Sequence, residues 1–341
     1  MTPDVVVAGA TGWGTTMAMH IARGGRQVQL LVRDETEAEK LTRLGRHPRL
    51  KHFELPSALT VSADATVLPA VPLLVIGVPA QAMRRNVEAI ASLIGHQTVV
   101  AHLAKGLENG TAKRMSEVIR EELSPAHAGP VAVISGPNLS AEVAAGLPST
   151  TVVASADDSA ARSIQGLLTT ATFRAYTSND IAGVELGGSL KNIVALGAGL
   201  VDGLGLGDNA KAAFITRGLA EITRLGVRAG AQPMTFQGLS GLGDMIATCY
   251  SPLSRNRRVG EQIAANRKLG DILAELGEVA EGVQTVPAAL QLAGELGVEM
   301  PITEQTNAVL FHDRSPGEAM RLLLEREPRA EAWGGDDGAA S

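Results

Sequence analysis

Several things are scarce in this chain of 341 residues, and each scarcity excludes something. Cys249 is the only cysteine, so no disulfide can close within the chain and nothing points to an oxidising compartment. A basic surplus is missing: 30 Lys and Arg stand against 36 Asp and Glu, a net charge of −6, which argues against a nucleic-acid partner. A local basic pocket for a small anion remains open. The chain starts almost at once with a strand-like run, without a basic segment and a long apolar one, and no uninterrupted apolar stretch is long enough to span a bilayer. No membrane insertion is therefore expected, and the cytoplasm is the expected location. The seven histidines show no metal-ligand spacing, no Ser/His/Asp or Cys/His set suggests itself, and there is no internal repeat. No metal is expected.

What the chain has is glycine, 38 residues of it, scattered and often placed just after apolar runs. That pattern favours many tight strand-to-helix turns over a low-complexity tract. The length suits two domains or one large one, either able to bury a real core. Runs at Val5–Ala8, Val28–Val32, Leu73–Val78, Thr98–Leu103, Val131–Ile134 and Thr151–Ala154 read as strands buried on both faces. Helical stretches such as Thr15–Arg23 and Ala82–Ile94 lie between them, so the first half predicts a mostly parallel, doubly wound sheet. After about Thr177 the strand-like runs stop and long helical patterns take over, as in Asn209–Ala229 with its terminating Gly230. A boundary is expected near Ser178, giving an α/β domain over 1–178, an all-α domain over 179–327, and a disordered tail over 328–341.

The stretch "VVVAGATGWGTT" places Gly9 and Gly14 at the outer positions of the dinucleotide fingerprint G-x-G-x-x-G, with Thr11 in the middle and a spare glycine at Gly12. Alone it reads equally well as a plain strand turn, but it is N-terminal, follows a strand and opens a helix. The second strand run ends before Arg33 and Asp34. An acid there would accept from a ribose 2′-hydroxyl, whereas an arginine would hold a 2′-phosphate. Lys105 in "AHLAKGLENGT" falls at the carboxyl end of a strand, where open α/β sheets collect ligand groups. Asn138 and Ser140 in "VISGPNLSAEVAAGLPS" start a helix, as anion-binding residues or as ordinary caps. Lys191 sits in an apolar, glycine-rich helical stretch, where a lysine either snorkels from the helix edge or works with a lowered pKa. The stretch "GLSGLGDMIATCYSPLSRNRRVG" supplies Asp244, Thr248, Arg255 and Asn256, read either as a solvated face or as a bidentate phosphate grip.

Taken in order, "GWGTT", "AKGLE", "VISGPNLSAEVAAGLPS", "LGGSLKNIVALGAGLVDGLGLGDNAKAAFITRGLAEI", "GLSGLGDMIATC", "SRNRRVG", "VAEGVQT" and "EMPITE" resemble the NAD(P)-dependent glycerol-3-phosphate dehydrogenases of bacterial type. The resemblance runs from Val5 to about Leu324. It implies an N-terminal Rossmann-like domain, a C-terminal helical domain, and reversible reduction of dihydroxyacetone phosphate to sn-glycerol 3-phosphate, the backbone of phospholipids. Lys191 matches the family's catalytic lysine, general acid toward the carbonyl oxygen in reduction and base in oxidation. Lys105 matches a second active-site lysine that contacts both cofactor and substrate. Asn138, Asp244 and Thr248 match polar residues lining the substrate, and Arg255 and Asn256 match the phosphate clamp, with Ser254 and Gly136 beside it. Gly9, Gly12, Trp13, Gly14, Arg33, Ser140, Arg255, Val279 and Glu281 fall at cofactor-contacting positions, and Arg33 favours NADPH over NADH. A homodimer is a further expectation.

Two departures stand out. Thr11 replaces the middle glycine of the fingerprint, and "RLGRHPRLKHFELPSAL" lacks the family's asparagine and Tyr-Leu-Pro sequence. Because Thr11 adds a Cβ, the freedom of Gly12 in φ is expected to compensate. Two other readings compete. A dehydrogenase of 3-hydroxy acids shares the two-domain plan, but the R-N-R-R segment argues against it. A nucleotide-sensing relative without turnover has only Thr11 in its support.

Overall fold

The computed structural model describes residues 2–277 and 280–327. Expectations for Val279 and for the 328–341 tail lie outside the described residues. The apolar runs form β1 (Val5–Ala8), β2 (Val28–Leu31), β4 (Leu73–Ile76), β5 (Val99–His102), β6 (Val131–Ser135) and β7 (Ser149–Ser155), joined by β3 (Leu59–Ser62) and β8 (Phe173–Ser178). All eight share one sheet, in the order β3-β2-β1-β4-β5-β6-β7-β8. The first six strands run parallel, with Val5 level with both Val28 and Leu73. β7 reverses against β6, and β8 follows β7 in parallel, Ser149 beside Phe173. Every residue of β1, β2 and β4 is buried, as strands covered on both faces must be.

β3 and β8 are the two strands missing from the sequence reading, and they are the two edges of the sheet. β3, LTVS, buries only Leu59, and β8, FRAYTS, buries only Phe173 and Ala175, so neither shows a continuous apolar run. Six helices accompany the sheet: α1 (Gly12–Arg23), α2 (Glu35–Leu44), α3 (Met83–Ile90), α4 (Met115–Glu122), α5 (Ser140–Ala144) and α6 (Asp158–Leu168). The order of strands reverses at β1, between β2 and β4, and the crevice outside their carboxyl ends is where such sheets take ligands.

From residue 181 onward the described chain is helical: α7 (Ile181–Gly203), α8 (Gly207–Arg228), α9 (Pro233–Phe236), α10 (Asp244–Tyr250), α11 (Arg255–Ala264), α12 (Leu269–Leu276), α13 (Glu281–Leu296), α14 (Pro301–Phe311) and α15 (Pro316–Leu324). α7 is the axis of this part, buried continuously from Gly183 to Val201. Its length and composition alone would let it cross a membrane, but its apolar window is wholly buried inside the protein. Asp180 caps it, accepting from Gly183 N and also from Gln232 N and Thr235 Oγ1, which pins α9 to the same helix end. α11 lies directly against α7. A Cβ on Gly199 would stand 2.0 Å from the Arg257 carbonyl oxygen, and one on Gly260 would stand 2.0 Å from that of Leu196. The two backbones touch there, and only glycine permits it.

Candidate active site

The glycine loop leaves β1 at Gly9, whose φ of +110° and whose 2.8 Å gap between a would-be Cβ and Val78 both demand glycine. Thr11 is the N-cap of α1: its Oγ1 accepts from Gly14 N at 3.0 Å and donates to the Gly77 carbonyl at 2.7 Å. The hydroxyl thus ties the loop back to the end of β4. Gly12 does not compensate for it. It is the first residue of α1, outside the positive-φ set, and its nearest neighbour would be Arg49 Cδ at 4.0 Å, so a side chain fits there without strain. The segment that departs from the family pattern closes one side of this loop. Buried His47 holds the Ala10 carbonyl through Nε2 at 3.0 Å, and Arg49 donates from Nη2 to the Gly277 carbonyl across the cleft at 3.1 Å.

A nicotinamide dinucleotide fits this cradle. The N-terminus of α1 opens toward the crevice, and two enclosed atoms, Trp13 Nε1 and Glu281 Oε2, have no hydrogen-bond partner within the protein. Glu281 opens α13. Burial pushes its carboxyl up to about 7, against the opposing influence of Arg255, so it can carry a proton near neutrality. Arg33 follows β2 with its side chain 82% exposed, paired to Asp34 at 3.0 Å. Asp34 is already committed, accepting from Glu37 N at 2.8 Å as the N-cap of α2.

Across the cleft, Asp244 joins two lysines. Its Oδ1 meets Lys191 Nζ at 3.0 Å, and its Oδ2 meets Lys105 Nζ at 2.7 Å. Lys105 also donates to the Gly136 carbonyl at 2.8 Å, and Lys191 donates to Thr248 Oγ1. A single π-helical turn over Leu239–Gly243 delivers Asp244 to this point, a distortion often found at functional sites. Burial, aided by the neighbouring charge of Lys105 and opposed by Asp244, brings the Lys191 ammonium down to about 8. Burial alone would raise the Asp244 carboxyl, but the two lysines hold it below its usual range. Cys249, one turn along α10, is buried and pushed up to about 12, so it stays a thiol.

The remaining expected residues gather around this centre with different duties. Asn256 is buried and donates to Asn192 Oδ1 at 2.9 Å while accepting from Gly282 N at 3.0 Å, which ties α11 to α7 and α13. Ser254 caps α11 through Arg257 N. The R-N-R-R run divides: Arg255 is exposed and faces Glu281, whereas Arg257 pairs with Asp202 at 2.7 Å and with Glu261 at 2.7 Å. Asn138 does not cap α5; it donates to the Thr150 carbonyl at 2.8 Å and accepts from Thr151 Oγ1 at 3.1 Å, bracing the start of β7. Ser140 opens α5, its carbonyl 3.4 Å from Thr16 Oγ1.

Residues 4–161 match the sequence family described as NAD-dependent glycerol-3-phosphate dehydrogenase N-terminus, and residues 180–321 match its C-terminus. The chain belongs to the NAD-dependent glycerol-3-phosphate dehydrogenase family. A glycerol-3-phosphate dehydrogenase (NAD(P)+) of Dehalococcoides mccartyi is 46% identical over 334 residues, covering 97% of this chain and 93% of that protein. One from Thermoanaerobacter sp. is 43% identical over 331 residues, covering 97% and 99%. The crystal structure of a glycerol-3-phosphate dehydrogenase from Coxiella burnetii superposes with a TM-score of 0.90 at 36% identity, covering 94% and 98%. Within this glycerol-3-phosphate dehydrogenase frame, Asn192 is the site neighbour that the sequence reading passed over: its Nδ2 faces the Lys105 carbonyl at 3.5 Å, and its Oδ1 holds Asn256. Its one sequence signal was adjacency to Lys191.

Proposed function

We propose that the protein reduces dihydroxyacetone phosphate to sn-glycerol 3-phosphate with NAD(P)H, reversibly, supplying the backbone of glycerophospholipids. The observation that carries this reading is the buried Lys191–Asp244–Lys105 bridge at the carboxyl end of the parallel sheet. The bound cofactor supplies or accepts the hydride. Lys191, poised near 8, gives its proton to the carbonyl oxygen as that oxygen becomes an alkoxide, and takes it back in oxidation. Asp244 keeps the ammonium oriented, and Lys105 adds positive charge where the oxyanion develops. Arg255, exposed at the start of α11, supplies the guanidinium for the substrate phosphate, and Asn256 beside it fixes the first turn of α11 on α7.

Gly9, Gly12, Trp13, Gly14, Ser140 and Glu281 form the cofactor wall of this reading, and Arg33 tilts it toward NADPH. The division into a Rossmann-like unit over 1–178 and a helical unit over 179–327 goes with it, as do a cytoplasmic location, a homodimer and the absence of a nucleic-acid partner. Spectrophotometric oxidation of NADPH with dihydroxyacetone phosphate, run beside 3-oxo acids, tests the function. Turnover should require the phosphorylated ketone; faster turnover of a 3-oxo acid would overturn the reading. Light scattering on the purified chain checks the dimer.

A further inference from the structure

A second cluster of buried charge lies close to the two lysines, and the reaction as described makes no use of it. His102, the last residue of β5, is fully buried, as is nearly all of Glu185 on α7. Glu185 Oε1 accepts from His102 Nε2 at 3.0 Å and from Ser116 N at 2.7 Å. Its Oε2 accepts from Arg114 Nη1 at 2.9 Å and from Ser116 Oγ at 2.6 Å. Burial alone would raise this carboxyl, but His102, Arg114 and Ser116 together hold it below its usual range. Because an ionised carboxylate only accepts, the His102 Nε2 carries the hydrogen. His102 Nδ1 is enclosed and has no partner within the protein.

The placement gives the cluster its meaning. Three residues beyond His102 the chain reaches Lys105, and six beyond Glu185 α7 presents Lys191. Positions 185, 188 and 191–192 fall on one face of α7, because residues three and four apart are neighbours on a helix. On that face, a Cβ at Gly188 would stand 2.5 Å from Ser135 Oγ and 3.8 Å from Lys105 Cγ, so the lysine stem runs closely over the helix. Asn192 faces the Lys105 carbonyl one turn further on. Three of the four donors to Glu185 come from Arg114 and Ser116, at the start of α4; His102 alone comes from the strand that leads into Lys105. Removing it severs β5 from α7 at this point while leaving the carboxylate three donors.

We propose that His102 is a positioning residue: its hydrogen bond to Glu185 fixes the register of β5 against α7, and with it the spacing of Lys105 and Lys191 that Asp244 bridges. The proposal rests on the assigned reaction for its kinetic consequence but not for its structural one. The groups facing Lys191 are Lys105 from the loop after β5 and Asp244, Thr248 and Cys249 from α10. When Lys105 is less firmly held, its charge bears less on Lys191, and the pH at which reduction fails moves upward.

The test compares His102→Leu, which fills the space but cannot donate, with His102→Gln, whose amide can. In His102→Leu, kcat for dihydroxyacetone phosphate should fall at least about tenfold, within the range by which small misplacements slow enzymes. Its alkaline limb should shift upward, NADPH binding measured by fluorescence should change much less than kcat, and His102→Gln should restore most of the rate. Independently of activity, amide hydrogen exchange over residues 103–109 should quicken in His102→Leu and recover in His102→Gln. Wild-type kcat, pH profile and exchange in His102→Leu would overturn the proposal. So would equal losses in both variants accompanied by lower melting temperature and weaker NADPH binding, which would make His102 a general support of the fold. A wild-type protein inactive on dihydroxyacetone phosphate would refute the assigned reaction and leave the exchange comparison to judge His102.

Discussion

The two walls of the cleft are made of opposite materials. The glycine loop itself is largely backbone: a helix N-terminus and a capping hydroxyl from Thr11, with Arg33, 82% exposed, beyond the next strand. The lysine wall is interlocked side-chain charge, with Lys191 6% and Asp244 4% exposed and each group fixed by another. An anion can be held by backbone amides and a helix dipole without burying any charge of the protein. Proton transfer demands more, because a lysine acquires a useful pKa only when it is desolvated, and a desolvated lysine needs a carboxylate to keep it in place. Damage to the second wall should therefore cost much more than damage to the first.

Lys191→Ala is the most severe change: kcat should drop about 10²–10⁴-fold, the usual contribution of a general acid, with NADPH binding measured by fluorescence nearly unchanged. A variant that keeps more than about a tenth of the rate would erase the contrast between the walls. Asp244→Asn removes the carboxylate from between two ammonium groups, and breaking a buried pair in this way costs about 3–5 kcal/mol in urea unfolding. The pH dependence has a defined sign. The Asp244 carboxyl titrates lower folded than unfolded, so its contribution is complete above the unfolded carboxylate pKa and is lost as pH falls through the folded one. In Asp244→Asn that acid-side loss should vanish from the stability curve.

Arg255→Ala comes next. It should raise the KM for dihydroxyacetone phosphate by about 10–100-fold, the equivalent of a charge-assisted hydrogen bond worth about 1.5–3 kcal/mol. Phosphate-free dihydroxyacetone should be unaffected; an equal loss on both would remove Arg255 from the phosphate site. On the opposite wall, Arg33→Ala should weaken NADPH only a few-fold and NADH not at all, because a solvated side chain already paired with Asp34 has little to give. Equal weakening of both cofactors would make it a plain surface charge. Gly12→Ser should be the mildest change, with an unaltered melting temperature, since no protein atom stands closer to the new Cβ than Arg49 Cδ at 4.0 Å.

The contrast also governs what the sequence discloses. The inner strands are legible because both faces are covered and their residues are uniformly apolar. β3 and β8 escape notice because an edge strand keeps only one covered face, and the reversal of β7 is invisible because an apolar run has no direction. Lys191 stands out as a charge inside an apolar helix. Glu185 carried the same signal six residues earlier, and His102 carried it at the end of an apolar strand, but neither belongs to a recognisable motif. Asn192 had no signal of its own, since an amide acquires meaning only from what it reaches, here Asn256 and the Lys105 carbonyl. Thr11, read only as an added Cβ beside the cofactor, is also the cap that closes the loop. A one-letter departure from a glycine pattern says that a Cβ is present and nothing about where it points.

The contact of Gly199 and Gly260 has a mechanical consequence. Two helices whose backbones touch cannot slide past each other without driving one backbone into the other's carbonyls, so close packing here couples the placement of α7 to that of α11. Lys191 rides on one helix and Asn256 on the other, with Asn192 riveted between them. A side chain added at either glycine would therefore disturb the proton donor and the first turn of α11 together.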